Sequence, residues 1–282
     1  MAAWLDLAVE ATGWTLADTG RLESLVDSMG HPKSQYPSLV YFVGNSSRAK
    51  ALRALFPYNN ITRKGPASFI KLHLSTETAN YKHPVLFAES SFLGDSTLAE
   101  KGFCQWPTEK LQHYPIQSNL SSTKDIKQHI LSNFVLPWTH TLCFLLNKAG
   151  DIMKVRQLLE RPRRNVKVGT QIIPNFLQVI IVLEKRLDGH DEALKELILW
   201  SGEQMTLNIT LLDLRERHML SPKAAFEPLR RLLLSHLSLA QSKRFENDNC
   251  DYENEDISAF IASAFLMNAY PPDMHHNFTK SD

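Results

Sequence analysis

Short apolar runs, each about the length of a strand, alternate along this chain with segments whose apolar residues recur at helical spacing. That alternation limits the fold more than any other feature. The runs cover residues 38–43, 68–74, 85–88, 139–146 (THTLCFLL), 176–183 (FLQVIIVL) and 207–214 (LNITLLDL). Helical patterns cover residues 47–56, 125–134, 151–160 and 191–200. A long helix opens at Ser221-Pro222, with serine as N-cap and proline in the first turn. Strands separated by helices need crossover connections. The expectation is an α/β, three-layer fold, with a mainly parallel sheet and helices on both faces.

Three parts are expected along the chain. Residues 1–37 read as a helical N-terminal extension and linker, with Leu22, Leu25 and Val26 on one helix face. Residues 38–245 carry the strand–helix alternation. Residues 246–282 read as an acidic segment, a C-terminal helix and a tail. With 43% hydrophobic and 22% charged residues the composition is that of a globular chain able to bury a core.

The net charge of +1 gives no bulk electrostatic reason to expect a nucleic acid or a membrane surface as partner. No apolar run reaches the length of a membrane span, and the N-terminus lacks the basic start of a secretory signal. Cys104, Cys143 and Cys250 are widely spaced and show no metal-ligand pattern. A reducing, cytoplasmic setting is the expectation.

The stretch YFVGNSSRAKA, residues 41–51, lies between an apolar run and a helix pattern. It keeps the spacing of the phosphate-loop consensus G-x-x-x-x-G-K-[ST]. Gly44 takes the first position and Lys50 the lysine, while Ala49 replaces the second glycine and Ala51 the Mg²⁺-binding hydroxyl. The loss of that hydroxyl removes a metal ligand on which phosphoryl transfer depends. The candidate nucleotide-binding residues are Gly44, Asn45, Ser46, Ser47, Lys50 and Ala51.

Further along, HPVLFAESSFLG places Glu89 at the end of an apolar run, with Phe92 and Gly94 after it. VIIVLEKRLDG places Glu184, Lys185, Arg186, Leu187 and Asp188 after the strongest run. On these residues, from about Leu39 to Ser242, the chain resembles a P-loop GTPase domain with altered motifs. More narrowly, it resembles the GTPase-like domains of fungal multidomain proteins, some of which precede a patatin-like phospholipase domain. The resemblance implies Glu89 at the aspartate that serves the metal and Phe92 at the switch glycine. It puts Lys185 and Asp188 near the base-reading positions and Thr62 near the first switch. Every motif is in order and every one is altered. The resemblance therefore implies a pseudo-GTPase: a non-catalytic interaction or scaffold domain with an unknown protein partner. GTP and Mg²⁺ are the cofactors it implies if any nucleotide is held.

Two rivals stand beside that reading. One is an active NTPase in which Ser46, Ser47 or Glu89 supplies the Mg²⁺ contacts. The other is an unrelated α/β enzyme with its pocket at the carboxyl ends of the strands. No G-x-S-x-G nucleophile motif occurs in the chain. Asp125, His129 and His140 form no complete metal set in sequence. Arg161, Arg163, Arg164 and Lys167 read as a solvated basic turn.

Overall fold

The computed structural model of the chain describes residues 2–247, apart from 11–12, 45, 62–68, 92–111, 117–121, 147–149, 161–165, 169–170, 174–176, 185–189 and 203–206. The chain starts with strands β1 (Ala3–Glu10) and β2 (Gly13–Asp18), then a short helix α1 (Arg21–Val26). The expected helical extension is therefore corrected over residues 3–18: they form an antiparallel hairpin in which Val9 pairs with Trp14 and Leu7 with Leu16. Alanine, leucine and glutamate favour helix locally, but Leu5 and Leu7 are buried in the core only as a strand. Gly13, at φ 125°, opens β2 in a conformation that side chains avoid.

Strand β3 (Ser38–Gly44) runs directly into helix α2 (Ser46–Leu55). Then come β4 (Ile70–Leu74), β5 (Val85–Ser90), β6 (Gln112–Pro115) and helix α3 (Thr123–Ile130). Ser122 caps α3 by accepting from the Asp125 amide at 3.1 Å and donating its hydroxyl to the Asp125 carboxylate at 2.6 Å. β7 (Thr139–Leu146), α4 (Gly150–Leu159) and a small ribbon of β8 (Val166–Val168) and β9 (Gln171–Ile173) follow. The described chain closes with β10 (Leu177–Leu183), α5 (His190–Gly202), β11 (Leu207–Asp213), α6 (Pro222–Ala225) and α7 (Glu227–Asn247). Ser221 caps α6, as its sequence predicts.

Nine strands form one sheet in the order β11-β10-β7-β3-β5-β4-β1-β2-β6. From β11 to β5 all pairs are parallel; β4, β1, β2 and β6 each join antiparallel to the strand before. The expectation of a mainly parallel sheet is corrected to a mixed one, because the N-terminal hairpin extends the sheet beyond β4 and β6 adds to β2. Every residue of β3 and β5 is buried, which explains the apolar runs at residues 39–43 and 85–88 within them.

Alternate residues of the strands feed two apolar clusters. Tyr41, Phe144 and Ile181 face the layer with Leu25 of α1, Ile126 of α3, Val155 of α4 and Leu197 of α5. Phe42, Cys143 and Ile180 face the layer with Leu52 of α2, Ala225 of α6 and Leu229 of α7. Helices thus cover both faces. Most of the acidic segment and all of the expected C-terminal helix at residues 257–267 lie outside the described residues.

Candidate functional site

Five parallel strands end together on one side of the sheet, and β3 and β5 bring Gly44 and Glu89 to that end. Helix α2 begins at Ser46, two residues after Gly44. Ser46, Ser47, Ala49, Lys50 and Ala51 are therefore helical, and the stretch does not arch as a phosphate loop would. Arg48, Ala49, Lys50 and Ala51 are good helix formers, and no second glycine releases the backbone from the helix.

Gly44 has a packing role. A Cβ there would stand 2.9 Å from the Leu145 carbonyl oxygen and 3.0 Å from its Cβ, across the β3–β7 pair. Ala51 is fully buried and packs in the cluster with Leu52 and Leu55. Its methyl group fills core. Lys50 turns along α2 to lie over the Phe226 ring, 5.9 Å from its centre. The ammonium of Lys50, expected at the end of β3, is directed here to the α6–α7 junction.

Arg48 takes the position at the end of β3 instead. Its Nε donates to Glu89 Oε2 at 2.7 Å, and its Nη1 donates to the Gly44 carbonyl and, at 3.5 Å, to Ser91 Oγ. The other Glu89 oxygen, Oε1, accepts from His73 Nε2 at 3.4 Å. His73 stacks flat on Phe87, its cross-strand partner, with centroids 4.7 Å apart. Phe87 stacks in turn on Phe56, just past α2, at 3.9 Å. Glu89 is only 5% exposed. Burial pushes its carboxyl up, but the His73 hydrogen bond and the charges of Arg48, His73 and Lys71 outweigh that and hold it at about 2. Both carboxylate oxygens of Glu89, the expected metal-side carboxylate, are engaged here in ion-pair contacts.

Beside this array the Tyr41 hydroxyl and Ser90 Oγ share a hydrogen bond of 2.6 Å. Burial pushes the Tyr41 phenol well up, against the Ser90 hydrogen bond and the nearby Arg48 charge. Among the described residues no group of three or more His, Cys, Asp or Glu could hold a metal ion. Asp125 belongs to the α3 cap, and His140 Nδ1 accepts from the Leu39 amide at 3.1 Å. Cys143 is fully buried, and that burial, with the Glu184 charge, pushes its thiol well up. Asn45, Thr62, Phe92, Gly94, Lys185 and Asp188 lie outside the described residues, as do Arg161, Arg163 and Arg164; Lys167 is in β8.

Sequence reasoning passed over Arg48 and His73. Arg48 lies in the first turn of the helix that follows Gly44, a position that could have drawn attention to it. His73 gains its role only through the β4–β5 register, which the sequence does not display.

No protein-family model and no curated protein matches the chain. Among solved structures, the cytosolic domain of the T. maritima FeoB iron transporter in apo form aligns with 84% of this chain and 88% of its own. The aligned residues are 12% identical and the TM-score is 0.35. Among the described residues no helix is long and apolar enough to cross a membrane.

Proposed function

We propose that the chain is a degenerate GTPase-like domain that performs no nucleotide hydrolysis and serves as an interaction or scaffold module for a protein partner. The observation that carries the reading is the Arg48–Glu89–His73 array. It occupies the end of the strands where a GTPase would hold phosphate and metal, and it engages both oxygens of Glu89, the carboxylate beside Gly44 at that end. The sheet order supports the GTPase-like part. Counted along the chain, β3, β4, β5, β7, β10 and β11 stand in the order 6-5-4-1-3-2, with the second antiparallel to its neighbour. That is the strand order of a GTPase-type domain. The narrower likeness to patatin-associated fungal domains plays no part in this reading.

The test is calorimetric titration of GTP and ATP, with and without Mg²⁺, into the wild type and Lys50→Ala, followed by a phosphate-release assay. The expected result is no Mg²⁺-dependent binding and no turnover in a folded wild type. Mg²⁺-dependent binding that Lys50→Ala abolishes, or measurable turnover, would overturn the reading and favour the active NTPase.

A further inference from the structure

Where Lys50 goes, two other cations meet it. A cavity of about 460 Å³ opens between α2 and the start of α6, lined by Lys50, Arg53, Ala54, Pro57, Pro222 and Lys223, with the Ser221 cap at its edge. Lys50 and Arg53 are one helical turn apart and so share a face of α2. Lys223 comes from the first turn of α6. Ala54, Pro57 and Pro222 supply an apolar lining with no donors of their own beyond a single amide on Ala54.

Among the described residues no carboxylate pairs with any of the three cations. Glu77 meets Arg230 at 3.7 Å, and Glu227 meets Arg231 at 3.1 Å. Arg53 Nε donates to the Ala49 carbonyl at 3.0 Å, which anchors the guanidinium on α2. Behind α6, Arg217 Nη2 donates to the Ala224 carbonyl at 2.8 Å and adds a further positive charge. Three like charges held around one cavity repel one another, and an anion relieves that repulsion. The volume and apolar lining suit a small organic molecule rather than a bare ion.

We propose that this cavity binds an amphipathic organic anion: an apolar acyl or aryl body on the Ala54–Pro57–Pro222 surface, with its carboxylate or phosphate head among Lys50, Arg53 and Lys223. The site lies apart from the Arg48–Glu89 array and stands or falls independently of whether nucleotide is hydrolysed.

The probe is 8-anilinonaphthalene-1-sulfonate, an aryl body with one anionic head, titrated into the full chain by fluorescence. N-phenyl-1-naphthylamine, the same body without the sulfonate, is the control. The expected result is saturable binding of the anionic dye, weakened at least about tenfold in Lys50→Gln/Arg53→Gln and in Lys223→Glu. The neutral dye should bind more weakly to the wild type and be insensitive to these changes. Dodecyl phosphate and laurate should displace the anionic dye, and inorganic phosphate should not. All three cations are partly or fully exposed, so the variants should melt with the wild type. Absence of saturable binding, equal affinity for the two dyes, or binding unchanged in folded variants would each overturn the proposal. Displacement by inorganic phosphate alone would overturn its amphipathic part.

Discussion

Arg48 and Glu89 show why a motif read in one dimension can mislead at the scale of a residue. The spacing from Gly44 to Lys50 fits a phosphate loop, yet the glycine is required by the Leu145 backbone and the lysine lies over Phe226. What spacing cannot report is where the helix begins. Ser46 starts α2 so early that Arg48, and not Lys50, faces back toward the Gly44 carbonyl. Glu89 was legible as a buried carboxylate at a strand end, but its partners were not. Removing one partner of such a pair leaves an uncompensated buried charge. Arg48→Met should therefore cost about 3–5 kcal/mol, measured by urea unfolding. Arg48→Met combined with Glu89→Leu should recover most of that loss, since neither charge then remains. A cost for the single change below about 1 kcal/mol would mean that water reaches Glu89 and the pair behaves as a surface one.

Among elements, the interior strands were the most legible. β3, β5, β7 and β10 are covered on both faces, so their sequences are nearly continuous apolar runs. The hairpin of β1 and β2 was not legible. Its Leu5, Leu7 and Val9 alternate with Asp6, Ala8 and Glu10, but over so few residues helix formers obscure the period. β6 stayed hidden for a related reason: its four residues become a strand only because β2 offers an edge. These elements depend on one another, since β1 pairs with β4 and β2 pairs with β6. Deleting residues 1–18 should uncover the β4 edge and leave β6 without a partner. The expected outcome is concentration-dependent association, read by light scattering, with the parallel half retaining its helical circular dichroism. A monomeric, fully folded deletion variant would show that the hairpin is dispensable.

For the whole molecule, pH brings several buried groups into view together. Glu89 has its carboxyl held at about 2, below the ordinary 4.5. Its contribution is present above about pH 4.5 and is lost as pH falls toward 2. Asp18 behaves in the opposite sense. Burial raises it from 3.8 to about 6, against the Gly20 amide, which donates to its carboxylate at 2.9 Å. The folded state favours the protonated form, so stability present below about pH 4 declines as pH rises through 6. Tyr41 and Cys143 are both pushed up by burial, so stability falls again once pH exceeds the ordinary thiol and phenol values. Asp18→Asn keeps an oxygen for the Gly20 amide. It should remove the decline between pH 4 and 6 and stabilise the protein at pH 7.5 by about 1–2 kcal/mol, read from melting curves across pH. An unchanged profile would place the Asp18 carboxyl at its ordinary value.

The position of β3 also sets an order of assembly. Its two neighbours, β5 and β7, both lie downstream, and β7 ends at Leu146, about a hundred residues after β3 ends at Gly44. A chain emerging from the ribosome exposes this apolar strand long before its second flank is synthesised. The early hairpin cannot shield it, because β1 pairs with β4 and not with β3. For that interval the nascent polypeptide carries its future centre unprotected, and holding it clear of other chains falls to whatever meets it at the tunnel mouth.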